Sequence, residues 1–198
     1  MKVISITGYK GGVGKSTVSL HLANYLSSVG KTLLIDGDQN ETCLKRAEKG
    51  LLSFEVCSRF DQSVGGKLFD GVDFLLVDTA ARPTGKDLQE LGADSDLIIL
   101  PTTPGIDTLF PLTSLISQIS EFKYRVIINL VPPYPSKSGS QLYSDLVDLE
   151  FPVFKQFIRR SVAFEKASER GVCVDKIPRY RAIWNDFKAV GKELLEVL

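Results

Sequence analysis

The chain has 198 residues, of which 43% are apolar, and its 24 basic and 24 acidic residues leave no formal net charge. This length suits one domain with a substantial core, and we expect residues 1–198 to form a single domain. The neutral balance gives no general attraction to nucleic acid. No apolar run is long enough to span a bilayer, and the chain opens on a strand pattern, unlike a signal peptide.

The three cysteines, Cys43, Cys57 and Cys173, are far apart and odd in number. This favours a reducing compartment over a disulfide framework or a zinc site, and small buried apolar residues are the expected role of all three. The only histidine, His21, lies within a helical pattern, and we assign it no function.

Apolar runs alternate with segments of helical periodicity along the chain. The patterns predict strands at residues 2–8, 32–36, 51–57, 73–78, 96–101, 125–130 and 153–157. They predict helices at residues 15–29, 40–49, 63–69, 86–91, 107–122, 138–149, 162–170 and 181–198. In the first helix, we expect Val18, Leu22, Tyr25, Leu26 and Val29 to lie on one face, with Gly30 as the stop. The alternation is typical of an α/β protein, a mostly parallel central sheet with helices on both faces.

A glycine-rich loop at residues 8–17 separates the first strand from the first helix. Glycines allow backbone conformations that side chains forbid, so their N–H groups can surround phosphate oxygens at the start of the helix. Lys15 is placed to reach the β- and γ-phosphates, and the Ser16 hydroxyl to bind Mg²⁺. The residues predicted to bind ATP here are Gly11, Gly12, Val13, Gly14, Lys15, Ser16 and Thr17. A glycine-rich turn with incidental lysines is the alternative.

A second lysine, Lys10, gives residues 10–17 a pattern that resembles the deviant Walker A motif of the ParA/MinD superfamily of P-loop ATPases. The resemblance extends over nearly the full chain. It is closest to the small single-domain ParA partition ATPases and the carboxysome-positioning (McdA-like) ATPases. It implies the P-loop NTPase fold, ATP and Mg²⁺ as cofactors, and a homodimer in the ATP state. Lys10 would then reach the phosphates of the partner subunit, so Lys10 and Lys15 are both expected to be catalytic.

Asp36 and Asp38 follow the second predicted strand. The segment resembles the Asp-x-Asp-Pro-Gln motif of the ParA group, without its proline. The resemblance implies that Asp38 positions the attacking water and that Asp36 lies beside the Mg²⁺ site. A carboxylate that holds one water in line is chemically sufficient, because phosphoryl transfer depends mostly on positioning and charge stabilisation. Capping of the next helix by Asp38 is the alternative.

Asp78 ends the apolar run at residues 74–77 in the form of a Walker B motif, and we expect it to hold Mg²⁺ directly or through water. The segment 79–83 resembles the switch that senses the γ-phosphate, although Arg82 departs from the commoner Pro-rich version. Asn129 ends a later strand, and the resemblance implies that it faces adenine. Satisfying a local turn is the alternative for Asn129. No guanine-marking Asp follows it, which favours ATP over GTP.

Residues 155–181 contain eight basic and three acidic residues. A basic surface that contacts phosphates without reading bases gives non-specific, salt-sensitive binding of double-stranded DNA. In the ParA group this region carries DNA contacts that form in the ATP dimer. The residues predicted to bind DNA are Lys155, Arg159, Arg160 and Lys166. A solvated face with paired charges is the alternative.

Together these features predict a cytoplasmic, nucleoid-associated ATPase that positions a cargo such as a plasmid, a chromosome locus or a carboxysome. A cargo-bound adaptor, ParB- or McdB-like by resemblance, would stimulate hydrolysis and release the protein from DNA. The alternatives are a membrane-surface switch of MinD type and a metabolic P-loop ligase or kinase. Glu193 and Glu196 in the last helix argue against a basic membrane anchor, and no acceptor-substrate pocket is recognisable.

Overall fold

A computed structural model describes residues 1–59, 66–105 and 107–198. The strands are β1 (Lys2–Ile6), β2 (Thr32–Gly37), β3 (Glu55–Ser58), β4 (Phe74–Thr79), β5 (Leu97–Thr102) and β6 (Tyr124–Ile128). The helices are α1 (Lys15–Leu26), α2 (Thr42–Ala47), α3 (Gly85–Asp94), α4 (Leu109–Ile119), α5 (Ser138–Asp148), α6 (Ala163–Arg170) and α7 (Arg181–Val197). Short 3₁₀ helices lie at Gly66–Phe69, Val174–Lys176 and Pro178–Tyr180. The strands form one sheet in the order β3-β2-β4-β1-β5-β6, with every pair parallel.

Alternate residues of the central strands enter different cores, which confirms the predicted α/β class. In β5, Leu97 and Ile99 join the core that includes α1 and α7, whereas Ile98 and Leu100 join the core under α3, α4 and α5. A strand that buries both faces needs apolar residues at successive positions, since neighbouring side chains point to opposite faces. The continuous apolar runs in the sequence therefore become central strands covered on both sides.

The register of the sheet brings the polar strand ends together. Asp78 of β4 lies opposite Ile6 of β1 on one side and Asp36 of β2 on the other. The glycine-rich loop leaves β1 at this same edge, because all the strands run in one direction. In such a sheet the ligand site lies beyond the carboxyl ends of the strands.

Helix α7 closes one face of the molecule. Its buried side chains include Ile183, Phe187, Val190 and Leu194. Two ion pairs fasten the helix to the body of the protein: Arg125 to Glu193, and Arg159 to Asp186. The apolar face of the last helix therefore packs into the core. Among the described residues, no helix combines the length and the apolar character needed to cross a bilayer.

Several predicted details are wrong. Helix α1 ends at Leu26, so Val29 lies beyond it and is 54% exposed. Residues 153–157 do not form a strand of the sheet, because Val153 makes only an isolated bridge to Val126. Cys43 and Cys173 are buried as expected, whereas Cys57 is half-buried. Of the helix predicted at 63–69, residues 63–65 lie outside the described residues, and the rest is a 3₁₀ turn.

Candidate nucleotide site

The loop after β1 has the backbone shape that its glycines allow. Gly12 and Gly14 have φ angles of 78° and 85°, in the left-handed region where glycine carries no steric penalty. Gly14 also lies against Asn129, since a Cβ built on it would stand 2.3 Å from Asn129 Nδ2. Gly14 is therefore required twice, once by its backbone conformation and once by the close approach of Asn129.

The two lysines of this loop have opposite surroundings. Lys15, the first residue of α1, is only 7% exposed. Lys10 is exposed on the outer part of the loop. A buried lysine at the loop–helix junction suits a phosphate bound within the same chain, whereas an exposed lysine at the rim is free to contact a group outside it.

Asp36 organises the segment after β2. Its Oδ2 accepts hydrogen bonds from the backbone N–H groups of Cys43 (2.8 Å) and Leu44 (3.0 Å), and its Oδ1 accepts from the N–H of Asp38 (3.1 Å). The N–H groups of Cys43 and Leu44 belong to the first turn of α2, where they would otherwise lack intrahelical partners. Asp36 thus caps α2 from inside the sheet and is fully buried.

Asp38 is half-buried and shapes its own turn. Its Oδ1 accepts from the N–H of Asn40 (2.9 Å) and from Asn40 Nδ2 (2.8 Å). Helix α2 starts at Thr42 after Glu41, which has a left-handed backbone. The alternative that Asp38 caps this helix is therefore wrong, because Asp36 holds that position.

Asp78 is a fully buried acid with only neutral partners among the described residues. Its Oδ1 accepts from the Ser19 hydroxyl (2.9 Å) and its Oδ2 from the Cys43 thiol (3.5 Å). Loss of hydration raises the pKa of Asp78 to about 6, the hydroxyls of Ser16 and Ser19 oppose this, and the neighbouring Asp36 adds to it. A cation bound here would compensate this buried charge. Two carboxylates and a serine hydroxyl form an oxygen-rich set that fits Mg²⁺.

Cys43 is a site residue that the sequence reading missed. Ligand atoms of Asp36, Cys43 and Asp78 all lie within 4.8 Å of one another. Burial and the two neighbouring carboxylates raise the pKa of the thiol well above its usual range, so Cys43 is a neutral donor here. Its lone position in the sequence carries no signal of this contact, which depends on how α2 folds back over α1.

The end of β4 contacts the end of β1, and the segment that follows β4 contacts the glycine-rich loop. Thr79 Oγ1 donates to the carbonyl of Ile6 (2.9 Å), and the N–H of Arg82 donates to the carbonyl of Gly8 (3.4 Å). Arg82 has a left-handed φ of 59°, immediately before Pro83. Both the side chain and the following proline disfavour that conformation, so this segment stores backbone strain next to the loop.

Asn129 faces the loop from the end of β6. It is fully buried, and its Nδ2 donates to the carbonyl of Val13 (2.8 Å). Its Oδ1 is buried with no hydrogen-bond partner among the described residues. The side-chain amide of Asn129 therefore supports the glycine-rich loop, whereas the alternative assigned it to a local turn. The contact of Asn129 with adenine stays a prediction.

The four predicted DNA-binding residues differ in how free they are. Arg159 donates from Nε and Nη2 to the carboxylate of Asp186 (2.8 and 2.7 Å) and from Nη2 to the carbonyl of Ala182 (2.7 Å). Lys155, Arg160 and Lys166 are exposed, and the ammonium of Lys166 lies 5.5 Å from the ring centre of Tyr180. Arg159 is thus committed to α7, whereas Lys155 and Arg160 present their cationic groups to solvent.

Comparisons with known proteins show what this chain is similar to. The "Maintenance of carboxysome distribution protein A" of Gloeobacter kilaueensis is 27% identical over 202 residues, which cover 98% of this chain and 94% of that protein. The apo structure of McdA from Cyanothece has a TM-score of 0.76 at 17% identity, over 98% of this chain and 99% of that chain. The MinD cell division protein of Aquifex aeolicus has a TM-score of 0.72 at 20% identity, over 99% and 98% of the two chains.

Structural similarity alone does not separate the McdA and MinD branches, since both structures share the fold at under 25% identity. Residues 4–174 match the sequence profile described as the CobQ/CobB/MinD/ParA nucleotide binding domain. That range includes the glycine-rich loop, Asp36, Asp78 and Asn129. The chain therefore belongs to the CobQ/CobB/MinD/ParA nucleotide-binding family.

Proposed function

We propose that residues 1–198 act as a single-domain ATPase that dimerises around two ATP molecules and positions a cargo on DNA. The observation that carries this proposal is the contrast between a buried Lys15 and an exposed Lys10 on one phosphate loop. Lys15 serves the nucleotide of its own chain, and Lys10 is free to reach the phosphates of a second copy. The full-length similarity to a carboxysome distribution protein supports the positioning role.

In the proposed site, the backbone of residues 11–17 and Lys15 bind the phosphates of ATP, and Asn129 faces the adenine. Ser16 and Asp78 would hold Mg²⁺ with Asp36 beside it, and a bound ion would supply positive charge to the phosphates. Asp38 accepts a hydrogen bond from the attacking water and aligns it with the γ-phosphate. Positioning of this kind and electrostatic stabilisation together supply most of the protein's contribution to phosphoryl transfer.

Exposed cations of residues 155–181 support DNA binding by the dimer. Lys155, Arg160 and Lys166 are available for phosphate contacts, and such contacts give affinity without sequence preference. Arg159 contributes through its ion pair with Asp186, which holds the segment against α7. A cargo-bound adaptor that stimulates hydrolysis would then return the protein to the monomer and release it from the nucleoid.

A membrane-surface switch is the second candidate, because the fold is equally that of MinD. The buried apolar face of α7 disfavours it, since an interfacial anchor must leave that face free for lipid. The deciding assay compares the ATPase rate alone, with duplex DNA and with anionic liposomes. We expect the rate to change with DNA only, and a change with liposomes instead would favour the second candidate.

Lys10→Ala tests the dimer itself. The variant should bind ATP with unchanged affinity but fail to dimerise, because the removed ammonium acts on the partner's nucleotide. Light scattering with ATP and Mg²⁺ measures the mass, and a variant that dimerises normally would remove Lys10 from the interface. Loss of ATP binding would instead place Lys10 in the site of its own chain.

A further inference from the structure

Arg46 is a buried cation that has no counterion among the described residues. It lies on α2 and is only 7% exposed, yet its Nε and Nη1 atoms have no hydrogen-bond partner. Within residues 1–59, 66–105 and 107–198, no carboxylate forms an ion pair with it. Burying an unpaired guanidinium opposes folding, so its presence here calls for a role other than stability.

Arg46 lines a cavity between α2 and α6. Its lining residues are Asn40, Thr42, Lys45, Arg46, Lys49 and Ser168. The volume is about 440 Å³, within the range of small-molecule sites. Three cations and no acid belong to this lining, so the cavity, hereafter the α2–α6 cavity, has the charge of an anion site. None of its residues belongs to the phosphate loop.

Neither lysine of the cavity forms an ion pair within the part of the chain that the structure describes. Lys45 Nζ donates to the carbonyl of Asn40 (2.8 Å), and Lys49 Nζ donates to the carbonyls of Ser168 (3.2 Å) and Glu169 (2.6 Å). Carbonyl oxygens orient an ammonium without neutralising it. Lys49 is also packed tightly, since a Cβ added to Gly171 would lie 2.4 Å from its Cδ. These hydrogen bonds direct the two ammonium groups, whereas both lysine side chains are exposed.

We propose that the α2–α6 cavity binds a compact phosphate-bearing anion, either inorganic phosphate or the phosphate group of a small metabolite. A guanidinium flanked by ammonium groups matches the several acceptor oxygens of phosphate. The recessed position of Arg46 favours a small anion over duplex DNA, whose phosphates contact cations on an exposed surface. The site goes beyond the proposed ATPase function, because no residue of its lining is among those predicted to bind ATP or Mg²⁺, although Asn40 of the lining is hydrogen-bonded to Asp38.

The test is calorimetric titration with inorganic phosphate in the presence of saturating ADP and Mg²⁺, which occupy the phosphate loop. Chloride at equal ionic strength corrects for screening. We expect saturable binding that Arg46→Gln weakens at least about tenfold, because the guanidinium makes the central contacts. Arg179→Gln is the matched control, since Arg179 is exposed and lies outside the cavity lining. A second titration with a sugar phosphate distinguishes the two sources of the anion.

Three outcomes would overturn the proposal. Binding that survives in Arg46→Gln but is lost in Lys15→Ala would assign the phosphate to the loop, and this result would leave the ATPase proposal intact. A response equal to that of chloride would reduce the cavity to a screened charge patch. Binding of duplex DNA, and not phosphate, that depends on Arg46 would make the cavity part of the DNA surface. If Arg46→Gln fails to fold, the double variant Lys45→Gln/Lys49→Gln decides, with a weakening of the same sign expected.

Discussion

The nucleotide edge of the sheet and the basic segment at residues 155–181 are both rich in charge, but they hold it differently. At the edge, Asp36 and Asp78 are fully buried, and neutral N–H, hydroxyl and thiol groups surround them. In the basic segment, Arg160 is exposed while its neighbour Arg159 is locked to Asp186. The first region therefore holds buried charge that a ligand could neutralise. In the second region, one charge is paired within the fold and another faces solvent.

This difference shows in which region the sequence neighbours of a residue indicate its role. Residues of the phosphate loop act through a local backbone shape, so their neighbours in sequence determine what they do. Two adjacent arginines in the basic segment have different roles because a residue 27 positions away pairs with one of them. His21 links the two regions, since it lies on α1 and accepts a hydrogen bond from the N–H of Val174 (3.2 Å).

The largest expected effect concerns Asp38, which both shapes its turn and carries the proposed catalytic charge. Asp38→Asn keeps an acceptor for the N–H of Asn40 but removes the negative charge that orients water. We expect hydrolysis to fall about 100- to 1,000-fold with ATP affinity unchanged. Single-turnover hydrolysis with radiolabelled ATP measures this. Near-normal hydrolysis would mean that another group positions the water, and lost ATP affinity would place Asp38 in the phosphate or metal site.

Gly14→Ala should weaken ATP binding about 100-fold, equivalent to about 2.7 kcal/mol. The alanine would need a left-handed backbone, and its Cβ would collide with Asn129. Gly11→Ala is the matched control, because a Cβ there meets nothing within 4 Å. Calorimetric titration of both variants gives the comparison. Equal losses in the two variants would show that any side chain in the loop is harmful and that the contact with Asn129 is irrelevant.

The two adjacent arginines test the basic segment. Arg159→Met leaves Asp186 buried without its partner, and we expect a loss of about 2 kcal/mol in the free energy of unfolding, reduced from the full buried-pair value because the Arg159 side chain is 46% exposed. Arg160→Met should change stability by less than about 0.5 kcal/mol while weakening DNA binding at all sequences. Urea unfolding and DNA titration separate the effects.

The double variant Arg159→Met/Asp186→Leu should regain most of the stability lost in Arg159→Met, since it removes the unpaired charge. If Arg159→Met unfolds no more easily than the unmodified chain, the ion pair contributes nothing. In that case both arginines become candidates for the DNA surface.

We expect His21, which links the two regions, to make the stability of the protein depend on pH. Burial lowers its pKa from 6.5 to about 3, opposed by the hydrogen bond to the Thr17 carbonyl, and Val174 N–H occupies Nε2. Below pH 6.5 the unfolded chain takes up a proton that the folded chain refuses, so stability falls as the pH falls toward 3. Between pH 7 and pH 5 this contributes up to about 2 kcal/mol.

Urea unfolding at both pH values checks this expectation, and His21→Gln provides the reference. The variant cannot titrate, so its loss of stability between pH 7 and pH 5 should be smaller by that amount. An identical loss in the two proteins would mean that acidic side chains alone produce the pH dependence.

Much of the candidate site was predictable because its residues act through short-range geometry. A strand, a glycine-rich loop and a helix in succession specify where phosphates bind, whatever the rest of the chain does. Continuous apolar runs specify central strands, and parallel strands bring Asp36 and Asp78 to one edge. The sequence by itself therefore determined the fold class and the place of the nucleotide site.

Only the tertiary structure decided which polar and charged side chains are paired within the protein. Asp36, rather than Asp38, caps α2 because only Asp36 lies beneath its first turn. Cys43 meets Asp78, Arg159 meets Asp186, and Arg46 is buried beside the α2–α6 cavity through packing of distant segments. The sequence determines which side chains are charged or polar. The hydration and pairing of each charged group depend on what the fold places within a few ångströms of it. Hydration and pairing in turn determine whether the group stabilises the fold or is available to bind a ligand.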